Sequence, residues 1–223
     1  MKFKAILFDL DNTLLDFLTF KRETAKTAAK EMRKYGLNDT EENIYKKIFE
    51  TYDLYGVEYN KTFYQVIKQY NLEINKAERI QQAAIVAYLK RKFEILKPYP
   101  EVIETLRKLK ENYKLGVVSD APRNKAWMRL VLSGLDDLFD VIVTFDDTNE
   151  HKPSNFPFKK ALEELKLEPN EVLFVGDNPG RDIKGANALG MKTCLAKYGL
   201  WDRSSDFKAD YEIEKFEDLL KVV

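Results

Sequence analysis

The stretch that decides the fold is residues 3–13, which read FKAILFDLDNT. Its first six residues are mostly apolar and too few for a helix, so they predict a buried parallel strand that ends at Asp9. Asp11 follows two residues later. Because the carboxyl ends of parallel strands converge on one crevice, this acidic pair predicts a functional site at that edge of a sheet.

Three later apolar segments have the same character and predict further strands, over residues 114–119, 141–144 and 172–177. Between them, apolar residues recur at spacings of three and four, which predicts helices over residues 100–110, 124–132, 156–165 and 181–189. Two short strands (191–196 and 209–213) and a helix (215–222) would close the chain. This alternation predicts an α/β fold whose core is a doubly wound, Rossmann-like parallel sheet.

Residues 16–96 interrupt that alternation, because they contain no convincing strand and read as successive amphipathic helices. Two capping-box-like pairs, Asp39 with Glu42 and Asn75 with Glu78, predict helix starts. We therefore expect two domains: a core formed by residues 1–15 and 97–223, and an inserted α-helical domain formed by residues 16–96.

The overall charge is balanced, with 37 Lys and Arg residues against 37 Asp and Glu residues. Such a chain has no broad positive electrostatic field that would attract nucleic acid or an anionic membrane. Neither is therefore expected as a partner. The single cysteine, Cys194, excludes an internal disulfide framework, and no apolar N-terminal stretch resembles a signal peptide. These features predict a cytoplasmic protein, and they leave its oligomeric state open.

The predicted strand ends bring a distinctive set of side chains to one edge of the sheet. Carboxylates crowded at about 4 Å repel each other by roughly 4 kcal/mol per pair in a partly screened site, so the group requires a cation. An open, all-oxygen site favours a magnesium ion (Mg²⁺). The set consists of Asp9, Asp11, Ser119, Lys152, Asp177 and Asp182.

This set suits phosphoryl transfer, which requires positive charge around the phosphate oxygens before a carboxylate can attack. Mg²⁺ and Lys152 would supply that charge, and Ser119 would donate a hydrogen bond to a phosphate oxygen. Asp9 would attack phosphorus and form an aspartyl-phosphate. Asp11 would protonate the leaving oxygen and then accept a proton from water.

The same residues, in this order, resemble the phosphatase branch of the haloacid dehalogenase superfamily. The first motif of that family, DxDx[TV], is similar to residues 9–13, and the second, a Ser or Thr that ends an apolar strand, to Ser119. The third, a Lys commonly followed by Pro, matches Lys152-Pro153, and the fourth, GDxxxxD, matches residues 176–182. Four motifs in order are a specific signal. The resemblance covers nearly the whole chain, because residues 16–96 match the family's helical cap.

The resemblance implies a role for each matching residue. Asp9 would be the nucleophile and a metal ligand, and Asp11 would be the acid/base and bind the metal through its backbone carbonyl. Asp177 would be the third protein ligand, and Asp182 would position metal-bound water or Lys152. Asp120 stands where an Asn often follows the second motif, and with Ser119 and Lys152 it is the expected phosphate-binding group.

The expected substrate is a small phosphorylated metabolite, whose identity would be set mainly by the cap. A 2-haloacid dehalogenase is disfavoured, because such relatives usually lack an acid at the position of Asp11. A phosphonate-cleaving enzyme, a phosphomutase and a non-enzymatic phospho-acceptor or scaffold stay open as alternatives. His151, the only histidine, has no role in the carboxylate mechanism.

Overall fold

A computed structural model of the protein describes residues 3–200, 205 and 207–223. Its centre is a six-stranded parallel sheet, with the strands in the spatial order β3-β2-β1-β4-β5-β6. The strands are β1 (Ala5–Phe8), β2 (Lys114–Val118), β3 (Val141–Val143), β4 (Val172–Gly176), β5 (Lys192–Ala196) and β6 (Tyr211–Ile213). The predicted doubly wound α/β fold is confirmed.

Parallel pairing requires crossover connections between the strands, and helices supply most of them. The strand order reverses at β1, which pairs with β2 on one side and with β4 on the other. Polar residues behind these central strands therefore share one crevice. The helices of this unit are α5 (Val102–Lys110), α6 (Arg123–Ser133), α7 (Phe145–Thr148), α8 (Asn155–Leu165) and α9 (Lys184–Ala188).

The sheet is stabilised by apolar side chains that the strands and helices bury together. Leu7 of β1, Val118 of β2 and Phe174 of β4 belong to one buried cluster with Phe158 of α8. The rings of Phe158 and Phe174 meet edge to face, with centroids 5.0 Å apart. The strands β1, β2 and β4, which precede site residues, therefore share one apolar core.

The chain divides into two compact units, Met1–Phe17 with Leu96–Val223 and Leu18–Ile95. The second contains four helices, the first of which begins one residue earlier: α1 (Phe17–Lys34), α2 (Glu41–Tyr55), α3 (Thr62–Ile67) and α4 (Ile74–Ile95). Apolar residues of all four helices form its own buried cluster. The role of this unit as a substrate-enclosing cap stays a prediction.

Several element ends differ from the sequence-based prediction for identifiable reasons. The N-cap of α2 is Thr40, whose hydroxyl accepts from the Asn43 N–H at 3.2 Å, while the Asp39 carboxylate accepts from the Thr40 N–H. At the start of α4, Glu73 takes the capping role predicted for Asn75, because its side chain accepts from two N–H groups of the first turn. The closing helix is a 3₁₀ helix over Phe216–Lys221.

Among the residues that the structure describes, none of the helices has both the length and the apolar character that crossing a bilayer demands.

Candidate active site

The parallel register places Asp9 beside the ends of two neighbouring strands. Phe8, the last residue of β1, is paired with Val175 of β4 and also with a residue of β2. The Asp9 N–H donates to the Val175 carbonyl at 2.9 Å. Ser119 follows β2 and Asp177 follows β4, so three of the predicted site residues leave the sheet at the same edge.

Lys152 lies in the loop between α7 and α8, and its side chain is only 2% exposed. Its ammonium group lies 2.5 Å from Asp9 Oδ1 and 2.7 Å from Asp182 Oδ1, and it donates to the Val118 carbonyl at 3.0 Å. Burial alone would lower the pKa of Lys152, but the attraction of Asp182 and Asp9 outweighs it and raises the pKa. Lys152 is therefore a permanent cation that joins the first motif to the fourth.

Burial and the neighbouring carboxylates make Asp9 and Asp177 unusually hard to ionise. Burial, opposed by Lys152 and reinforced by Asp182 and Asp11, raises the pKa of Asp9 to about 7. Burial also raises the pKa of Asp177 well above its usual range, and the neighbouring charges of Asp182 and Asp9 add to the effect. Perturbed carboxyl groups gathered in one place are typical of functional sites.

Three of these carboxyl groups could share a cation. Ligand oxygens of Asp9, Asp177 and Asp182 all lie within 4.8 Å of one another. When all three are ionised they carry three negative charges, and Lys152 neutralises one of them, which leaves two. A hard, all-oxygen donor set with this excess charge fits a divalent ion, whose charge would also favour the ionised carboxylates.

The fourth motif depends on a close approach of its two ends. Asp182 Oδ2 accepts from the Asn178 N–H at 3.0 Å, and the Asn178 side chain accepts from the Arg181 N–H at 3.0 Å. These bonds fold residues Pro179–Ile183 into a single π-helical turn before α9, where sequence periodicity predicted a regular helix. A turn of this type is common at functional sites, and here it returns Asp182 to the end of β4.

Residues outside the predicted set of site residues stabilise the loop that follows β1. Thr13 donates to Asp177 Oδ1 at 3.4 Å, and the Tyr198 hydroxyl donates to the Thr13 carbonyl at 2.7 Å. Tyr198 in turn packs edge to face on Tyr99, with ring centroids 4.8 Å apart. Thr13 belongs to the first motif, but the sequence carried no signal for the two tyrosines, which contact the loop only through the fold.

Ser119 is buried directly behind β2. Its N–H donates to the Val143 carbonyl at 2.9 Å, and its hydroxyl oxygen accepts from the Ala121 N–H at 3.1 Å. This second bond turns the chain sharply after the strand and fixes the side chain at the crevice. The role of the hydroxyl as a hydrogen-bond donor to phosphate stays a prediction.

Asp120 is surrounded by hydrogen-bond donors. Its Oδ1 accepts from the backbone N–H of Lys152 at 2.9 Å, and its Oδ2 accepts from the Arg181 guanidinium at 3.2 Å. His151 Nδ1 lies 3.9 Å from Asp120 Oδ1, and its ring stacks on Phe145 with centroids 4.4 Å apart. Asp120 therefore ties the second, third and fourth motifs together, and its role as a phosphate contact stays a prediction.

Asp11 is paired with a residue that sequence reasoning missed. Its Oδ2 accepts from Arg129 Nη1 at 2.6 Å, and the guanidinium centre of Arg129 lies 4.5 Å from the centre of the Phe17 ring. The side chain of Arg129 is 2% exposed. Sequence reasoning missed it because a charged residue is not expected on the buried face of a helix, which Arg129 shares with Ala126 and Leu130.

Comparison with known proteins identifies this arrangement. A family profile described as haloacid dehalogenase-like hydrolase matches residues 6–196. The chain belongs to this family. Its relatives include the glyceraldehyde 3-phosphate phosphatase of Methanopyrus kandleri, which is 34% identical over 227 residues that cover 99% of this chain and 97% of the relative.

Two further relatives of this haloacid dehalogenase-like chain support the same assignment. The pyrophosphatase PpaX of Bacillus cereus is 34% identical over 232 residues, which cover 100% of this chain and 97% of the relative. The crystal structure of a HAD phosphatase from Thermococcus onnurineus has 29% identity and a TM-score of 0.69, over 98% of this chain and 97% of that one. The predicted superfamily and its phosphatase branch are confirmed, and the chain is a phosphoric monoester hydrolase. The roles of individual residues stay predictions.

Proposed function

We propose that this phosphatase is a Mg²⁺-dependent hydrolase that transfers phosphate from a small phosphorylated metabolite to Asp9 and then to water. The observation that carries the proposal is the position of Lys152, whose buried ammonium group contacts both Asp9 and Asp182. A fixed cation beside a carboxylate nucleophile reduces the repulsion that a phosphate dianion meets on approach.

The remaining roles belong to the same proposal. Asp9 and Asp177, with the backbone carbonyl of Asp11, are the proposed metal ligands, and Asp182 is proposed to orient Lys152 and the metal's water. When bound, Mg²⁺ would add positive charge beside the phosphate oxygens. Ser119 would donate a hydrogen bond from its hydroxyl group to a phosphate oxygen. The Asp120 carboxylate accepts a hydrogen bond from the Lys152 backbone N–H.

The reaction would proceed in two balanced half-reactions. Asp9 attacks phosphorus while the bond to the leaving oxygen breaks, and Asp11 transfers its proton to that oxygen. Asp11, now a carboxylate, then accepts a proton from water as the water oxygen attacks the aspartyl-phosphate. Phosphate leaves, and both aspartates return to their starting state.

The names of the relatives suggest which substrates to examine first. Glyceraldehyde 3-phosphate is a small phosphate monoester, and pyrophosphate is a small phosphoanhydride. We propose a three-carbon sugar phosphate as the first candidate substrate. The reason is that a relative named as a glyceraldehyde 3-phosphate phosphatase aligns with 99% of this chain. Pyrophosphate is the second candidate, since the Bacillus relative matches the whole chain at equal identity.

Phosphate release tests the proposal directly. Purified protein would be incubated with glyceraldehyde 3-phosphate, pyrophosphate and p-nitrophenyl phosphate, in Mg²⁺ and in excess EDTA. We expect release in Mg²⁺ and its loss with EDTA. A product that keeps its phosphate would identify a mutase, and phosphorylation without turnover would identify an acceptor module.

A matched pair of variants would locate the metal. Asp177→Asn removes one negative charge from the cluster, so the Mg²⁺ concentration for half-maximal rate should rise about tenfold or more. The control is Asp136→Asn, which makes the same change at an exposed residue before β3 and should leave that concentration unchanged. Equal behaviour of the two variants would argue against the proposed ligand.

A further inference from the structure

Arg129 is a buried cation that contacts the loop following β1 in the chain. It extends from α6, a helix of the core unit, and its Nη1 lies 2.6 Å from Asp11 Oδ2. The two residues are 118 positions apart in sequence. Removing a guanidinium from water is unfavourable unless hydrogen-bond acceptors compensate, so this contact is a specific feature of the fold.

The side chain and the backbone of Arg129 each make one further contact. The face of the Phe17 ring lies 4.5 Å from the guanidinium centre, and the Arg129 backbone carbonyl accepts from the Ser133 hydroxyl at 2.6 Å. A planar guanidinium held against a ring can present its N–H groups in only one plane. Together with the bond from Nη1, this contact restricts the positions that the Asp11 carboxyl group can take.

We propose that Arg129 is a positioning residue for proton transfer: it holds the Asp11 carboxyl group in the orientation from which Asp11 protonates the leaving oxygen. The inference rests on the proposed function, in which Asp11 gives its proton to the leaving oxygen as the P–O bond breaks. Arg129 does not touch the reacting atoms. It acts through Asp11, and its loss should matter only where that proton is needed.

The leaving group separates this role from a purely structural one. p-Nitrophenolate departs readily without a proton, whereas the alkoxide of glycerol 1-phosphate departs only if it is protonated. A structural ion pair that merely fixes α6 would affect both substrates equally. A positioning residue for the proton donor affects mainly the alkyl phosphate.

The experiment compares kcat and KM of wild-type protein and Arg129→Met on both substrates in Mg²⁺. We expect kcat on glycerol 1-phosphate to fall about tenfold or more and kcat on p-nitrophenyl phosphate to fall less than about threefold, with KM little changed. The matched control is Arg123→Met on the same helix. Arg123 is about half exposed and pairs with Asp147, and its replacement should leave both rates unchanged.

A double variant supplies an independent readout. If Arg129 acts through Asp11, Arg129→Met should add almost no loss in an Asp11→Asn background. Equal losses on the two substrates, a gain in rate, or a full additional loss in that background would overturn the inference. If thermal melting shows that Arg129→Met does not fold, the same rates are measured with Arg129→Lys. Lysine keeps the charge but lacks the planar group, so this variant should show the same selective loss.

Failure of the proposed function would look different. Wild-type protein would then release no phosphate from either substrate, whereas failure of the Arg129 inference requires an active wild type whose variants lack the selective pattern.

Discussion

Asp182 lies directly against the backbone of Gly176, the residue that ends β4. A Cβ added to Gly176 would stand 2.5 Å from Asp182 Cβ and 2.6 Å from Asp182 Oδ2. Such separations are far inside van der Waals contact, so only glycine allows the aspartate to approach the strand. The first and last residues of the fourth motif, Gly176 and Asp182, are therefore in tight packing contact.

Replacement of Gly176 by alanine should displace Asp182 and, with it, the Lys152 ammonium group. We expect Gly176→Ala to fold but to lose about 100-fold in kcat, since a displacement of about 1 Å in a positioned group can cost that much. Steady-state rates of phosphate release check the loss, and circular dichroism checks the fold.

Gly180→Ala is the matched control, because the same change in the same motif meets no tight contact with the site. Its added Cβ would lie 3.3 Å from Ser205 Cβ and 3.5 Å from Asn178 Oδ1. We expect less than about a threefold change in rate. Equal losses in the two variants would contradict the packing explanation.

Gly199 packs against the backbone of the loop that follows β1 in the chain. A Cβ at this position would lie 1.7 Å from the Asn12 carbonyl oxygen, and Asn12 itself holds a left-handed conformation with φ of 62°. Gly199→Ala should lower the free energy of unfolding by about 1–3 kcal/mol, as overpacking does, and reduce the rate as well. Urea denaturation measures the first effect, and an unchanged midpoint would refute it.

The pH dependence of stability should report the burial of Cys194. Burial raises the pKa of its thiol to about 12, whereas an unfolded cysteine ionises near about 8.5. Between these values only the unfolded state has lost the proton, so stability decreases as pH rises. Each pH unit in this window weakens the fold by up to about 1.4 kcal/mol through this thiol.

Comparison with Cys194→Ala isolates that contribution from other titrating groups. The free energy of unfolding of wild type relative to the variant should fall by about 2 kcal/mol between about pH 7.5 and about pH 10. A difference that stays constant over this range would show that the thiol is not shielded in the folded state.

The strand ends were accessible to sequence reasoning because each predicted strand is a short apolar segment that ends at a polar residue. Asp9, Ser119 and Asp177 all directly follow strands in the structure, as the segments predicted. Parallel pairing then brings them to one edge, whatever the details of packing. Lys152 also joins this group, from the loop that follows the third predicted strand.

The supporting contacts could not be read in the same way. On α6, four large apolar residues (Trp127, Met128, Val131 and Leu132) are exposed, while Arg129 is buried. Hydrophobicity therefore indicates the wrong face of that helix. The π turn of the fourth motif is also invisible to periodicity, because it depends on the bond from the Asn178 N–H to the Asp182 side chain.

The most direct test of the account is chemical trapping of the phosphorylated enzyme during turnover. Protein mixed with substrate and Mg²⁺ would be quenched rapidly, reduced with borohydride and analysed by peptide mass spectrometry. Borohydride converts an aspartyl-phosphate into homoserine, so we expect homoserine at position 9 in wild-type protein and none in Asp9→Asn, which should also release no phosphate. Turnover with no modification at position 9, or an active Asp9→Asn variant, would contradict the assignment of Asp9 as the nucleophile.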